Sequence, residues 1–151
     1  MKSLTSLILT FLLYGCGTKL VGTFNSSKLT SSQGESIFVN SLNWGVSDDS
    51  QLTTISVDSL KLKNNRDTLG TVYGLNPFIY SFNNDSLTLF FYDKISYKIT
   101  DNFRTISVNY RIVNSSEYLK LNEKVLNNQG FYTIPNKKNI AYPKDMPLPP
   151  K

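Results

Sequence analysis

FIYSFNNDSLTLFFY, residues 78–92, decides the fold class. Phe78, Tyr80 and Phe82 alternate with Ile79 and Ser81. Leu87, Leu89 and Phe91 alternate with Thr88, Phe90 and Tyr92. Asn83-Asn84-Asp85 between them is turn chemistry, so the stretch predicts a β-hairpin. From Leu87 to Tyr92 both faces carry large apolar groups, which reads as a central strand covered on both sides. The alternative reading is a surface for a glycan or protein partner built on Trp44, Phe78, Tyr80, Phe90 and Tyr92.

The same period of two runs outward from the hairpin. Downstream, Ile95, Tyr97 and Ile99 alternate with polar residues. After the turn at 100–102, Ile106, Val108, Tyr110 and Ile112 oppose Thr105, Ser107, Asn109 and Arg111. This second run is the cleanest pattern for a strand buried on one face. Upstream, Leu42, Trp44 and Val46 share one expected strand face. Ile55 and Val57 share another, and Leu60 and Leu62 follow in opposite phase after Asp58-Ser59. Short strands are also expected over Leu69–Tyr73 and Phe131–Ile134. Tyr118–Leu126 stays open between two forms. One is a strand over Tyr118–Leu121 followed by a turn. The other is a short helix near 116–127, capped by Ser116, with Tyr118, Leu121 and Val125 on one face. Seven or eight short strands at close spacing predict an all-β fold, a mostly antiparallel sandwich or small barrel.

The chain has 151 residues, 40% of them hydrophobic, which excludes a disordered class and permits one packed domain. The net charge of +5 is diffuse, with Lys137-Lys138 the only basic doublet, so no nucleic-acid partner is expected. There is no His, and one Cys. No internal disulfide, Ser-His-Asp or Cys-His arrangement is therefore available.

That lone Cys16 closes a distinctive beginning. Lys2 precedes an apolar run from Leu4 to Leu13, followed by Leu13-Tyr14-Gly15-Cys16. The run has the length of a secretory h-region and about half the ~20 residues a membrane-spanning helix needs. The arrangement resembles a bacterial lipoprotein signal peptide. The resemblance implies cleavage after Gly15 and acylation of Cys16 by chains such as palmitate. It places the protein in the bacterial cell envelope, at the outer membrane, with the membrane as its first partner. The expected organisation is a signal peptide at 1–15, an acylated tether rich in Gly, Ser and Thr at 16–35, a β-rich domain at 36–135 and a tail at 136–151. The tail holds four of the six prolines.

Seven Asp residues (48, 49, 58, 67, 85, 93 and 101) fall in or beside expected turns. Asp favours turns because it bonds its own backbone. No catalytic residue and no cofactor are therefore assigned. Asp48-Asp49-Ser50 offers hard oxygen ligands but lacks the EF-hand spacing, so no metal is assigned either. Asp58-Ser59-Leu60, Asp67-Thr68-Leu69 and Asp85-Ser86-Leu87 resemble the acceptor triplet of a bacterial periplasmic O-glycosylation system. That resemblance implies Ser59, Thr68 and Ser86 as candidate acceptors. The favoured function is non-catalytic binding or scaffolding of an envelope protein or glycan. An inhibitor or immunity-type lipoprotein is the second reading, and a polysaccharide hydrolase using an Asp pair the third.

Overall fold

The computed structural model describes residues 22–63 and 68–137. Among these described residues, seven strands and one helix follow in order: β1 (Thr23–Thr30), β2 (Ser36–Trp44), β3 (Ser50–Ser56), β4 (Val72–Tyr73), β5 (Ile79–Asn83), β6 (Ser86–Tyr92), β7 (Ser107–Val113) and α1 (Ser115–Leu126). They form an antiparallel four-stranded sheet, β1-β2-β3-β4, and a three-stranded sheet, β5-β6-β7. The mostly β architecture expected from the sequence is what the chain adopts.

The β5–β6 hairpin forms as the 78–92 pattern requires. Asn84 and Asp85 take φ of 47° and 57°, giving the two-residue turn whose twist matches the strands. Register Ile79↔Phe90 and Tyr80↔Leu89 then divides the apolar residues between two faces. Tyr80, Leu87, Leu89 and Phe91 join Ile37, Val39, Ile55 and Val72 of the other sheet in the main core. Ile79 and Phe90 form a second cluster with Val113, Leu121 and Val125 under the helix. β6 is thus a central strand covered on both sides.

Asn114 settles the open reading of Tyr118–Leu126 as helix. Its side chain accepts from the Glu117 N–H at 2.9 Å, meeting one of the orphan donors of the first turn. Ser116 is inside the helix rather than its cap. Leu121 and Val125 are the buried residues, one turn apart. A strand at 118–121 would leave the outer face of the second sheet uncovered.

Four other expectations are corrected. Thr23–Thr30, read as part of a tether, is an eight-residue strand paired along its whole length with β2. Ser26, Lys28 and Thr30 occupy the solvated side of this sheet edge, and Asn25 and Ser27 are half-buried on the other side. Leu60 and Leu62 lie in a turn, with Leu62 folded back onto Leu42 and Leu52. Phe131–Ile134 contributes only a bridge, Tyr80↔Tyr132. Residues 95–99 are not a strand, because 93–106 must cross from the end of β6 to the start of β7, which runs parallel to it. Tyr97 anchors that crossover. β4 covers only Leu52 and Thr53 of β3, and beyond it the Tyr97 hydroxyl accepts from the buried N–H of Ile55 at 2.9 Å.

Candidate functional site

The two-residue alternation of β2 and β3 builds a site at one end of the sheet interface. Val39↔Ile55 faces the main core. Two steps along the same inner face the pair becomes Ser41↔Thr53, and two more steps give Asn43↔Gln51. All four are buried. A core that begins apolar therefore ends in amides. The opposite face carries Leu42, Leu52 and Leu62, with Phe24 and Trp44 against them. So the expected Leu42/Trp44 face exists but points away from the other sheet, and Val46 is 98% exposed.

The buried amides satisfy one another. Asn43 Nδ2 donates to Gln51 Oε1 at 3.0 Å, and Gln51 Nε2 donates to Thr53 Oγ1 at 2.7 Å and to the Ile134 carbonyl at 3.0 Å. A satisfied network of this kind is rigid. Above it opens a cleft of about 310 Å³ whose rim includes Asn25, Asp48, Asn136 and Lys137, with Leu75 and Pro135 as apolar wall. Thr23 Oγ1 donates to Asp48 at 3.3 Å across the mouth. Amide, carboxylate and ammonium groups around an apolar wall match a polyhydroxylated ligand, which has hydroxyls on its edges and C–H groups on its faces.

Asn76 also lines a groove of about 340 Å³, together with Pro77, Tyr92, Ser115, Tyr118 and Leu119. Asn76 holds φ at 46°, and its Oδ1 is buried with no hydrogen-bond partner among the described residues. Tyr92 and Tyr118 sit at 5.9 Å between ring centroids, inclined by 56°. Burial pushes the Tyr118 phenol up.

The sequence-expected aromatic surface divides. Phe78 and Tyr80 are each 1% exposed and Phe90 6%, so they belong to the core and are withdrawn from any binding surface. The interleaved aromatics pack because each face of β6 has a layer over it. Trp44 is half-buried beside Tyr73, at 6.1 Å, and Tyr92 is exposed. Of the five residues, only Tyr92 lines the groove.

The turn carboxylates hold loops. Glu35 accepts from the N–H groups of Arg104 and Thr105 and from the Thr105 hydroxyl, which keep its carboxyl below the ordinary range. Asp85 accepts from the hydroxyl and N–H of Ser32, lowering it likewise. Asp101 is partly buried, which alone would raise it. The Ser56 hydroxyl, the Val57 N–H and the nearby Lys61 outweigh that and lower it. Asp58 accepts from the Leu60 N–H.

Ser59 is half-buried in the turn after β3, and Thr68 is exposed. Ser86 opens β6 and its hydroxyl takes the Asn109 amide at 2.8 Å. Gly15 and Cys16 lie outside the described residues. Sequence reasoning passed over Asn25, Asn43, Gln51 and Asn136. Amides in strands read as solvent-facing, and only the strand register shows that Asn25, Asn43 and Gln51 point inward, while Asn136 reaches the rim from the exposed segment after Pro135.

No family model matches the sequence, and neither the curated proteins nor the solved structures contain a match.

Proposed function

We propose that the protein is a non-catalytic glycan-binding lipoprotein of the bacterial cell envelope, tethered by acylated Cys16 at the outer membrane. The observation that carries the binding role is the cleft over the Asn43–Gln51 pair. Its floor is fixed by internal hydrogen bonds before any ligand arrives, and its rim leaves polar groups for sugar hydroxyls. Leu75 and Pro135 supply the apolar contact that a sugar ring's C–H face takes. A binding role fits better than a hydrolytic one, because Asp48, Asp58, Asp85 and Asp101 each accept a hydrogen bond from the chain itself.

Two measurements test the two halves separately. Retention on immobilised bacterial cell-wall polysaccharide is expected for the full chain and lost in Asn25→Ala/Asn136→Ala, with the melting temperature unchanged. Equal retention of both proteins contradicts the cleft. Cys16→Ser is expected to abolish acyl labelling and membrane association. Unchanged membrane partitioning contradicts the anchor.

A further inference from the structure

Strand β1 enters the four-stranded sheet beside an apolar corner. Thr23 pairs with Asn43, the residue before Trp44, and Gly22 lies so close that a Cβ there would come within 2.7 Å of the Asn43 carbonyl oxygen. Trp44 is half-buried beside Tyr73, whose hydroxyl reaches Ser50, the strand partner of Trp44, at 3.4 Å. Tyr73 pairs with Leu52, so it shares with Trp44 the face turned away from the other sheet. Tyr73 is 67% exposed, and Val46, in the turn just after Trp44, is almost wholly so.

Trp and Tyr gain most where the ring meets apolar matter while its N–H or O–H stays wet, which is the headgroup boundary of a bilayer. The stretch from Trp44 to Leu52 holds Asp48 and Asp49 and no Lys or Arg. The corner therefore offers apolar contact rather than attraction to anionic headgroups.

A bilayer holding Cys16 is within reach of this corner. Cys16 precedes Thr23 by seven residues, and seven residues span at most about 25 Å whatever path they take. So short a tether raises the effective concentration of the attached surface to about the millimolar range. Contacts too weak to recruit a free protein then become populated.

We propose that Trp44, Val46 and Tyr73 seat the domain on the lipid bilayer that holds acylated Cys16, as a second, interfacial contact. The inference rests on the anchor reading and is independent of the glycan one. Trp44 and Tyr73 stand on the opposite face of the sheet from Asn43 and Gln51, so seating leaves the floor of the cleft turned from the membrane.

Trp44 is the only Trp, so its emission reports this corner alone. The test places the acylated full chain in phosphatidylcholine vesicles, either plain or brominated on the acyl chains next to the headgroup. The chain is expected to float with the vesicles and to lose about half of its Trp44 emission to the bromines, as for a side chain seated at the headgroup–acyl boundary. Val46→Asp/Tyr73→Ser is expected to float equally and to keep its emission. A chain that floats with equal emission in both vesicles overturns the seating and leaves the anchor standing. A chain that does not float contradicts the anchor and removes this inference with it. Quenching unchanged in the double variant assigns the contact to another surface and also overturns the proposal.

Discussion

Thr105 meets Glu35 across seventy residues of chain, its N–H 2.6 Å and its hydroxyl 2.7 Å from the same carboxylate oxygen. The contact ties the β1–β2 turn of one sheet to the entry of β7 in the other. Asp85 with Ser32 and Asp101 with Ser56 make the same kind of tie. These bonds need ionised carboxylates as acceptors, and all three groups titrate below their ordinary values in the folded chain. The unfolded chain therefore takes up protons first as pH falls. The stabilisation is complete above the ordinary carboxylate pKa values of about 4 and is lost as pH drops through the lower folded values. Denaturant midpoints are expected to be flat from neutral pH to about 5 and to fall steeply below about 4. Glu35→Gln should lower the neutral midpoint and flatten the acid slope. An unchanged acid slope in that variant contradicts the assignment.

Leu89 is fully buried in the main core, whereas Tyr92, three residues later on the same strand, is largely exposed. Leu89→Ala is expected to cost about 2–5 kcal/mol, the range for deleting a buried leucine side chain. Tyr92→Ala should stay within roughly 1 kcal/mol, the ordinary effect of an exposed substitution. Urea unfolding of both variants measures the difference. Similar losses would put Tyr92 in the core and remove the groove.

The helix cap gives a third outcome. Asn114→Ala removes the acceptor for the Glu117 N–H. The expected loss is about 0.5–2 kcal/mol, with Asn114→Asp retaining most of the stability. Hydrogen exchange should rise first at residues 115–118. Equal exchange along the whole molecule would mean that the cap does not govern the helix end.

Gly45 closes the turn after β2 at φ 107°, and a Cβ there would run into the Asp49 carboxylate. Gly45→Ala should therefore destabilise by roughly 1–3 kcal/mol, the cost of a left-handed backbone position forced on a residue with a Cβ. Thermal melting reads it directly. An unchanged melting temperature would mean that the turn rearranges freely.

Much of the architecture was legible because period-two patterns survive wherever one strand face meets a core. The hairpin at 78–92 and the double-sided cover of β6 follow from Leu87, Leu89, Phe90 and Phe91. Two things hid the rest. Strand β1 is mainly polar, and its place is set by the ladder to β2 rather than by any apolar stripe. The parallel joining of β6 and β7 depends on a crossover whose residues alternate like a strand but bond through the Tyr97 and Tyr110 hydroxyls. The cleft was hidden for a third reason. Ser41, Asn43, Gln51 and Thr53 sit on the inner face, where binary patterning expects apolar residues, and only long-range pairing makes them a site.

The central claim is that this inner-face polarity serves a ligand. The direct measurement is an NMR titration of the isotope-enriched full chain carrying Cys16→Ser with N-acetylhexosamine oligosaccharides. The account predicts saturable shifts at the side-chain amides of Asn25, Asn43, Gln51 and Asn136, with the signals of Lys120 and Lys124 on α1, which do not line the cleft, unmoved. Shifts confined to other surfaces, or none at millimolar oligosaccharide, would contradict it.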